Sequence, residues 1–339
     1  MNNESQNTKR PRRHLLTTLI IFAVFFGGLF IWTRLSPWPG AMIIRAAFTI
    51  NDSTMNESLR DHAPDEVTTT KNVHYDANDK DAYMDVYYPA DHNSNTATIV
   101  WVHGGGWVAG SKDLVESWSK ILAGKGFSVV TVGYSLAPEN NYPLPVKQVN
   151  RALEYLNSNH ATLNINIDKL LLGGSSAGAQ IVAQIALLAT NPTYASVVEI
   201  TPSIRSEQIK GMLLFGGPYD ASLVNPNGNS FGDYLIKTIT WTYTGEKDFH
   251  DSLAFDQMSI PQNLTADFPP SFVTAGNNDP LLPHSESLVS ALRKNNVQVE
   301  ALFFDKDYEP KLNHEYQFRL NLAGAQQALD QMISFAKNK

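Results

Sequence analysis

Cysteine is absent from the 339-residue chain. That excludes disulfides, a thiolate nucleophile and any cysteine-ligated zinc or iron–sulfur centre. Charge is sparse as well, at 17% of residues. The first 13 residues hold Lys9, Arg10, Arg12 and Arg13 against Glu4, a balance of +3, so the net charge of −7 leaves −10 on the rest. A body that is acidic and has no basic stripe offers no footprint for nucleic acid. The histidines and acids show no H-E-x-x-H or similar metal spacing, so no metal site is expected. Repeats and low-complexity tracts are missing too. Nothing in the composition speaks to oligomeric state.

What is present begins with a long apolar run. Leu15 to Trp32 (LLTTLIIFAVFFGGLFIW) carries no charge. A bilayer core of about 30 Å needs roughly 20 helical residues, so this segment approaches a full crossing. The basic cluster precedes it, which predicts a cytoplasmic tail over 1–14, an anchor over 15–32 and an extracytoplasmic body. A cleaved signal peptide, giving a secreted protein, is the competing reading. Its apolar core is usually shorter, and Thr33 to Pro39 offers no convincing small-x-small site. Residues 33–66 then form a connector, juxtamembrane or cap, with helical character around Ala41–Ile50.

From about Val67 strands alternate with helices. Asp81–Tyr88, Thr98–Val102, Phe127–Val132, Lys169–Leu172, Gly211–Phe215, Ser271–Thr274 and Val299–Phe304 read as strands. Helical composition covers Pro145–Ser158, Ala177–Thr190, His284–Lys294 and Ala323–Lys337. Short continuous apolar strands separated by helices predict an α/β domain over 67–339, with a mostly parallel sheet covered on both faces. Ligand chemistry in such sheets sits at the carboxyl ends of the strands. The loop-rich, aromatic segment 219–268 interrupts the rhythm, either as a lid or as an insertion packing its own small core.

Two motifs fall at strand ends. Gly174-Ser175-Ser176-Ala177-Gly178 has the pattern G-x-S-x-G between an apolar strand and a helix. Small neighbours permit a tight turn that exposes Ser176 and brings the next N–H to a helix start. Ser175 is also available, but only Ser176 has a glycine two residues away on each side. His103-Gly104-Gly105-Gly106-Trp107 follows Thr98–Val102, and its glycines let backbone N–H groups turn inward. No Walker lysine follows and no G-x-G-x-x-G is completed, which disfavours a phosphate loop. His103 reads as a structural residue holding the loop.

Together these motifs resemble the α/β-hydrolase superfamily, in particular carboxylesterases of the hormone-sensitive-lipase, acetyl-xylan-esterase and kynurenine-formamidase-like branches. The resemblance runs from about Asp85 to the C-terminus. It includes Asp85-Val86-Tyr87-Tyr88-Pro89, HGGGW with Gly110-Ser111, Tyr134-Ser135-Leu136-Ala137-Pro138-Glu139, and GSSAG. Ser135 and Ala179 depart from an arginine and a glycine that the family often has there; both bear on branch and substrate rather than on class.

The resemblance implies an α/β-hydrolase fold and a chain order of nucleophile, acid and base. Asp279, in Ala275-Gly276-Asn277-Asn278-Asp279-Pro280, then takes the acid position, with Asp305 and Asp307 as weaker alternatives. His314, between the last strand and the last helix, takes the base position. His284 comes too soon after Asp279, and His250 precedes it. Gly105, Gly106 and Ala177 would supply the oxyanion hole, and Trp107 is the candidate substrate contact. The expected activity is serine carboxylesterase action on a short-chain, small-molecule ester, an acyl transfer that requires no metal or organic cofactor. A serine exopeptidase on the same fold and a non-catalytic hydrolase-fold binding module are the alternatives.

Overall fold

The computed structural model describes residues 10–93, 95–224, 228 and 230–339. Its sheet has eight strands: β1 (Thr68–His74), β2 (Tyr83–Tyr88), β3 (Ala97–Val102), β4 (Ser128–Val132), β5 (Asn166–Ser175), β6 (Ile209–Phe215), β7 (Ser271–Ala275) and β8 (Val299–Phe303). Their order is β1-β2-β4-β3-β5-β6-β7-β8. β2 runs antiparallel to both of its neighbours, and every pairing from β4 to β8 is parallel. The mostly parallel sheet expected from the pattern is therefore present. β1 escaped the sequence reading because TTTKNVH is a polar, largely exposed edge strand without an apolar run.

The helices are α1 (Arg10–Leu35), α2 (Trp38–Leu59), α3 (Glu116–Gly124), α4 (Leu144–Leu163), α5 (Ala177–Thr190), α6 (Pro192–Val198), α7 (Phe231–Thr244), α8 (Leu253–Gln257), α9 (Leu282–Lys294) and α10 (Ala323–Lys337). The alternation of side chains along each strand sorts them into two layers. Ile99, Trp101, Leu171, Leu213, Phe215 and Phe272 face α3 and α10. Val100, Val102, Leu172, Met212, Leu214 and Val273 face α4, α5 and α9. Both faces are covered, which is why these strands read as continuous apolar runs. The connection from β6 to β7 is less loop-rich than expected, since α7 occupies 14 residues of it.

Two elements outside this sandwich bear on the site. Ile44, Phe48, Met55 and Leu59 recur on one face of α2, where all four are buried in or packed against the core. Arg45 fastens the helix: its guanidinium donates to Val108 O (2.6 Å), Ala137 O (2.8 Å) and both Glu139 carboxylate oxygens (2.6 and 2.8 Å). Helix α1 precedes it and spans 26 residues. Leu15, Ile21, Val24 and Ile31 along α1 are all exposed. Among the described residues no single helix is long and apolar enough to cross a membrane. Residues 1–9, most of the expected basic tail, lie outside the described residues, as do the side chains at 10–14, 23, 25, 26, 29 and 30.

Candidate active site

Parallel pairing brings the ends of β3, β5, β7 and β8 to one edge of the sheet, and each of the candidate residues leaves from one of these ends. Ser176 stands between β5 and α5 with φ 50° and ψ −124°, a left-handed conformation costly for any residue with a Cβ. It is held there by its amide, which donates to Phe215 O (2.8 Å), and by its carbonyl, which accepts from Gln180 N (3.2 Å). The turn requires glycine at 178, where a Cβ would stand 2.1 Å from Val102 O and 2.4 Å from His103 O. α5 thus crosses directly over the end of β3, which brings the serine and the glycine loop together.

That loop is built around Gly105, at φ 103°, where a Cβ would lie 2.3 Å from Ala109 O. Its carbonyl accepts from Val108 N and Ala109 N, closing a tight turn. Among the described residues, the N–H groups of Gly105, Gly106 and Ala177 have no hydrogen-bond partner. His103 braces the loop, as expected. It is buried, stacks on Tyr134 with centroids 4.2 Å apart, and donates from Nδ1 to Gly104 O at 2.8 Å. Burial lowers its pKa to about 4, so it stays neutral.

His314 and Asp279 come from separate loops and meet. His314 Nδ1 lies 3.0 and 2.9 Å from the two Asp279 carboxylate oxygens. Asp279 is buried and also accepts from Leu281 N at 2.8 Å. Asn277 stitches the two loops, accepting from Leu312 N and donating to the carbonyls of Asp305 and Tyr308. Asp305 and Asp307 are exposed in the bend between, and neither pairs with His314. Burial lowers the pKa of His314, but the hydrogen bond and charge of Asp279 outweigh it. With smaller contributions from Glu315 and Asp52, they raise it to about 9.

Ser176, His314, Gly105, Gly106 and Ala177 line one cavity of about 390 Å³. Ser175 is turned the other way: it is buried and lines a small neighbouring void with Trp118. Trp107 borders the cavity that holds Ser176, but its ring is stacked face-on against Tyr243 (4.4 Å, 2°), so it contributes a fixed wall. Phe48 and Asp52 of α2 close one side, and Leu235, Ile236, Ile239 and Thr240 of α7 another. His250 is exposed and lines a different cavity.

Three titratable residues in this cavity escaped the sequence reading as participants: Asp52, Glu315 and His284. Glu315 adjoins His314 and takes φ 56°; its Oε1 lies 2.8 Å from where a Cβ on Gly104 would stand. Burial, reinforced by the Glu315 charge, raises the Asp52 pKa to about 7. Only adjacency to His314 could have flagged Glu315, and nothing local flags Asp52.

A serine at a left-handed strand–helix turn, unpartnered N–H groups beside it and an Asp–His pair in the same cavity have the geometry of a serine hydrolase. The alpha/beta hydrolase fold family matches residues 99–309, and the chain belongs to it. It is 27% identical over 258 residues to carboxylesterase NlhH of Mycobacterium tuberculosis, covering 74% of this chain and 76% of that protein. It is 35% identical over 137 residues to kynurenine formamidase of Danio rerio, covering 40% and 42%. Among solved structures, esterase B from Lactobacillus rhamnosis superposes with a TM-score of 0.74 at 20% identity, over 89% of this chain and 96% of that one.

Proposed function

We propose that the protein is a serine carboxylesterase acting on short-chain acyl esters. The observation that carries this is the Asp279–His314 pair opening onto the same cavity as Ser176. Ser176 Oγ attacks the ester carbonyl as His314 takes its proton, and Asp279 orients the imidazole and stabilises the imidazolium. The oxyanion is held by the N–H groups of Gly105, Gly106 and Ala177. His314 then gives its proton to the departing alkoxide as the C–O bond breaks. Water, deprotonated by His314, hydrolyses the acyl-enzyme and returns Ser176. The relatives named as carboxylesterase, arylesterase and acetyl esterase support ester chemistry, and the modest cavity supports short chains.

The test is hydrolysis of p-nitrophenyl acetate, butyrate and decanoate by the full chain in detergent. kcat/KM is expected to fall at least tenfold from butyrate to decanoate, because a cavity of about 390 Å³ lies near the lower end of the range for drug-sized ligands, about 300–1,000 Å³. A rise with chain length would reverse the short-chain reading. A folded protein inert on all three esters, and unreactive toward a fluorophosphonate, would favour the binding-module alternative.

The anchor belongs to the same proposal. Among the described residues α1 falls short of a full crossing by length and apolarity together, but it spans 26 residues and its described apolar side chains are exposed. A bilayer would cover them, leaving the N-terminus cytoplasmic and the catalytic domain outside. α2 and the 219–268 segment then act as cap and pocket wall. After alkaline carbonate extraction of membranes the full chain is expected in the pellet. Recovery in the supernatant would defeat the anchor and favour the secreted alternative.

A further inference from the structure

We propose that His284 is a specificity residue whose Nε2–H donates a hydrogen bond to a second acceptor oxygen of the substrate, one outside the ester being cleaved. The favoured substrates are then oxygenated esters, carrying an ether, hydroxyl or further acyl oxygen near the scissile bond. This deepens the esterase reading and rests on it.

His284 lies in the first turn of α9, is 6% exposed, and lines the cavity that holds Ser176 and His314. The Asp220 backbone N–H points at its Nδ1 from 3.2 Å. A backbone N–H can only donate, so Nδ1 is the acceptor and the neutral ring carries its proton on Nε2. Burial lowers the pKa of His284 despite the nearby Asp220 and Asp279 charges, which keeps the ring in that neutral form.

The ring is also held in orientation. One Asp220 carboxylate oxygen accepts from Ser222 N (3.0 Å), Ser222 Oγ (2.6 Å) and Gln262 Nε2 (3.2 Å); the other accepts from Ser287 Oγ (2.5 Å). Ser287 lies one turn further along α9, so the loop that fixes His284 is fastened to the same helix.

Among the described residues Nε2 has no hydrogen-bond partner. It is not sealed in the core either, whereas His103 Nε2 is, and the cavity that His284 lines is that of Ser176 and His314. The cavity is lined mainly by apolar side chains, Pro218, Leu223, Val224, Met258 and Leu281 among them. One oriented donor in an apolar wall fixes the pose of a ligand that brings an acceptor and penalises one that leaves the donor bare. His284 does not serve as a second base: its acceptor nitrogen is already taken by Asp220 and it has no carboxylate partner.

The test uses two substrate pairs, each differing by one methylene replaced by an ether oxygen. p-Nitrophenyl butyrate and methoxyacetate vary the acyl side; butyl and 2-methoxyethyl butyrate vary the alcohol side. Intrinsic reactivity cancels in the ratio of variant to wild-type kcat/KM for each ester. His284→Asn keeps an acceptor for Asp220 N and withdraws the donor from the Nε2 position, since its shorter amide N–H cannot reach there; His284→Gln restores a donor near Nε2. Asn is expected to lower kcat/KM about tenfold more on the ether member of one pair than on its hydrocarbon partner, as befits one buried hydrogen bond. Gln recovers part of that loss. His284→Leu, which carries no donor at all, is the second variant should Asn fail to fold, and fluorophosphonate labelling of Ser176 checks that the site is intact. Equal ratios within both pairs would overturn the proposal. Wild-type enzyme inert on all four esters would instead remove the esterase reading, and this inference with it.

Discussion

Ser176→Ala is expected to lower kcat for p-nitrophenyl butyrate by about 10⁴-fold or more, because in the proposed mechanism its Oγ forms the acyl-enzyme. The cavity, the glycine loop and the Asp279–His314 pair all survive the change, so substrate still binds and KM changes little. Labelling by a fluorophosphonate should vanish. Stability should hold or rise slightly, since the strain at φ 50° comes from the turn and not from the hydroxyl. Activity within tenfold of wild type would move the nucleophile elsewhere. Ser175 is the obvious substitute by sequence but is turned into a separate void.

Asp279→Asn is the second large effect, and it has two parts. The first is a fall in the plateau of kcat/KM by about 10⁴-fold, as an amide neither enforces the tautomer nor stabilises the imidazolium. The second is a shift in the pH profile. The base must be neutral to accept a proton, so wild-type kcat/KM rises with pH through the His314 pKa of about 9. Asp279 is the main group raising that value against burial, which lowers it. Without the carboxylate the limb moves to lower pH. A stopped-rate profile from pH 5 to 10 on both proteins reads both effects. A limb left near pH 9 in the variant would mean that Asp279 is not what holds the imidazolium.

Much of the fold was legible because its signals are local. An apolar run of about five residues implies burial on both faces, and β3, β6 and β7 fell where such runs occur. The same holds for the serine turn, where Gly178 is required by two carbonyl oxygens closer than any Cβ tolerates. Strand ends were less legible. β5 begins at Asn166, four residues before Leu170, because Asn166 pairs with Ala97 of β3 ahead of a register shift while Asp168 and Lys169 stay exposed and break the apolar run.

The sequence by itself determined the class of chemistry. It excluded thiols, placed a serine between a strand and a helix, put a glycine loop after an earlier strand, and ordered an aspartate and a histidine after later ones. The tertiary structure alone decided what surrounds that serine. Asp52 reaches the cavity because the apolar face of α2 and the grip of Arg45 lay that helix across the site. His284 offers Nε2 only because a loop 64 residues earlier occupies Nδ1. Periodicity and motif spacing act within a few residues and so are written locally. Which distant segments share a cavity depends on strand order and on how helices pack over the sheet, and no short stretch of chain carries that information.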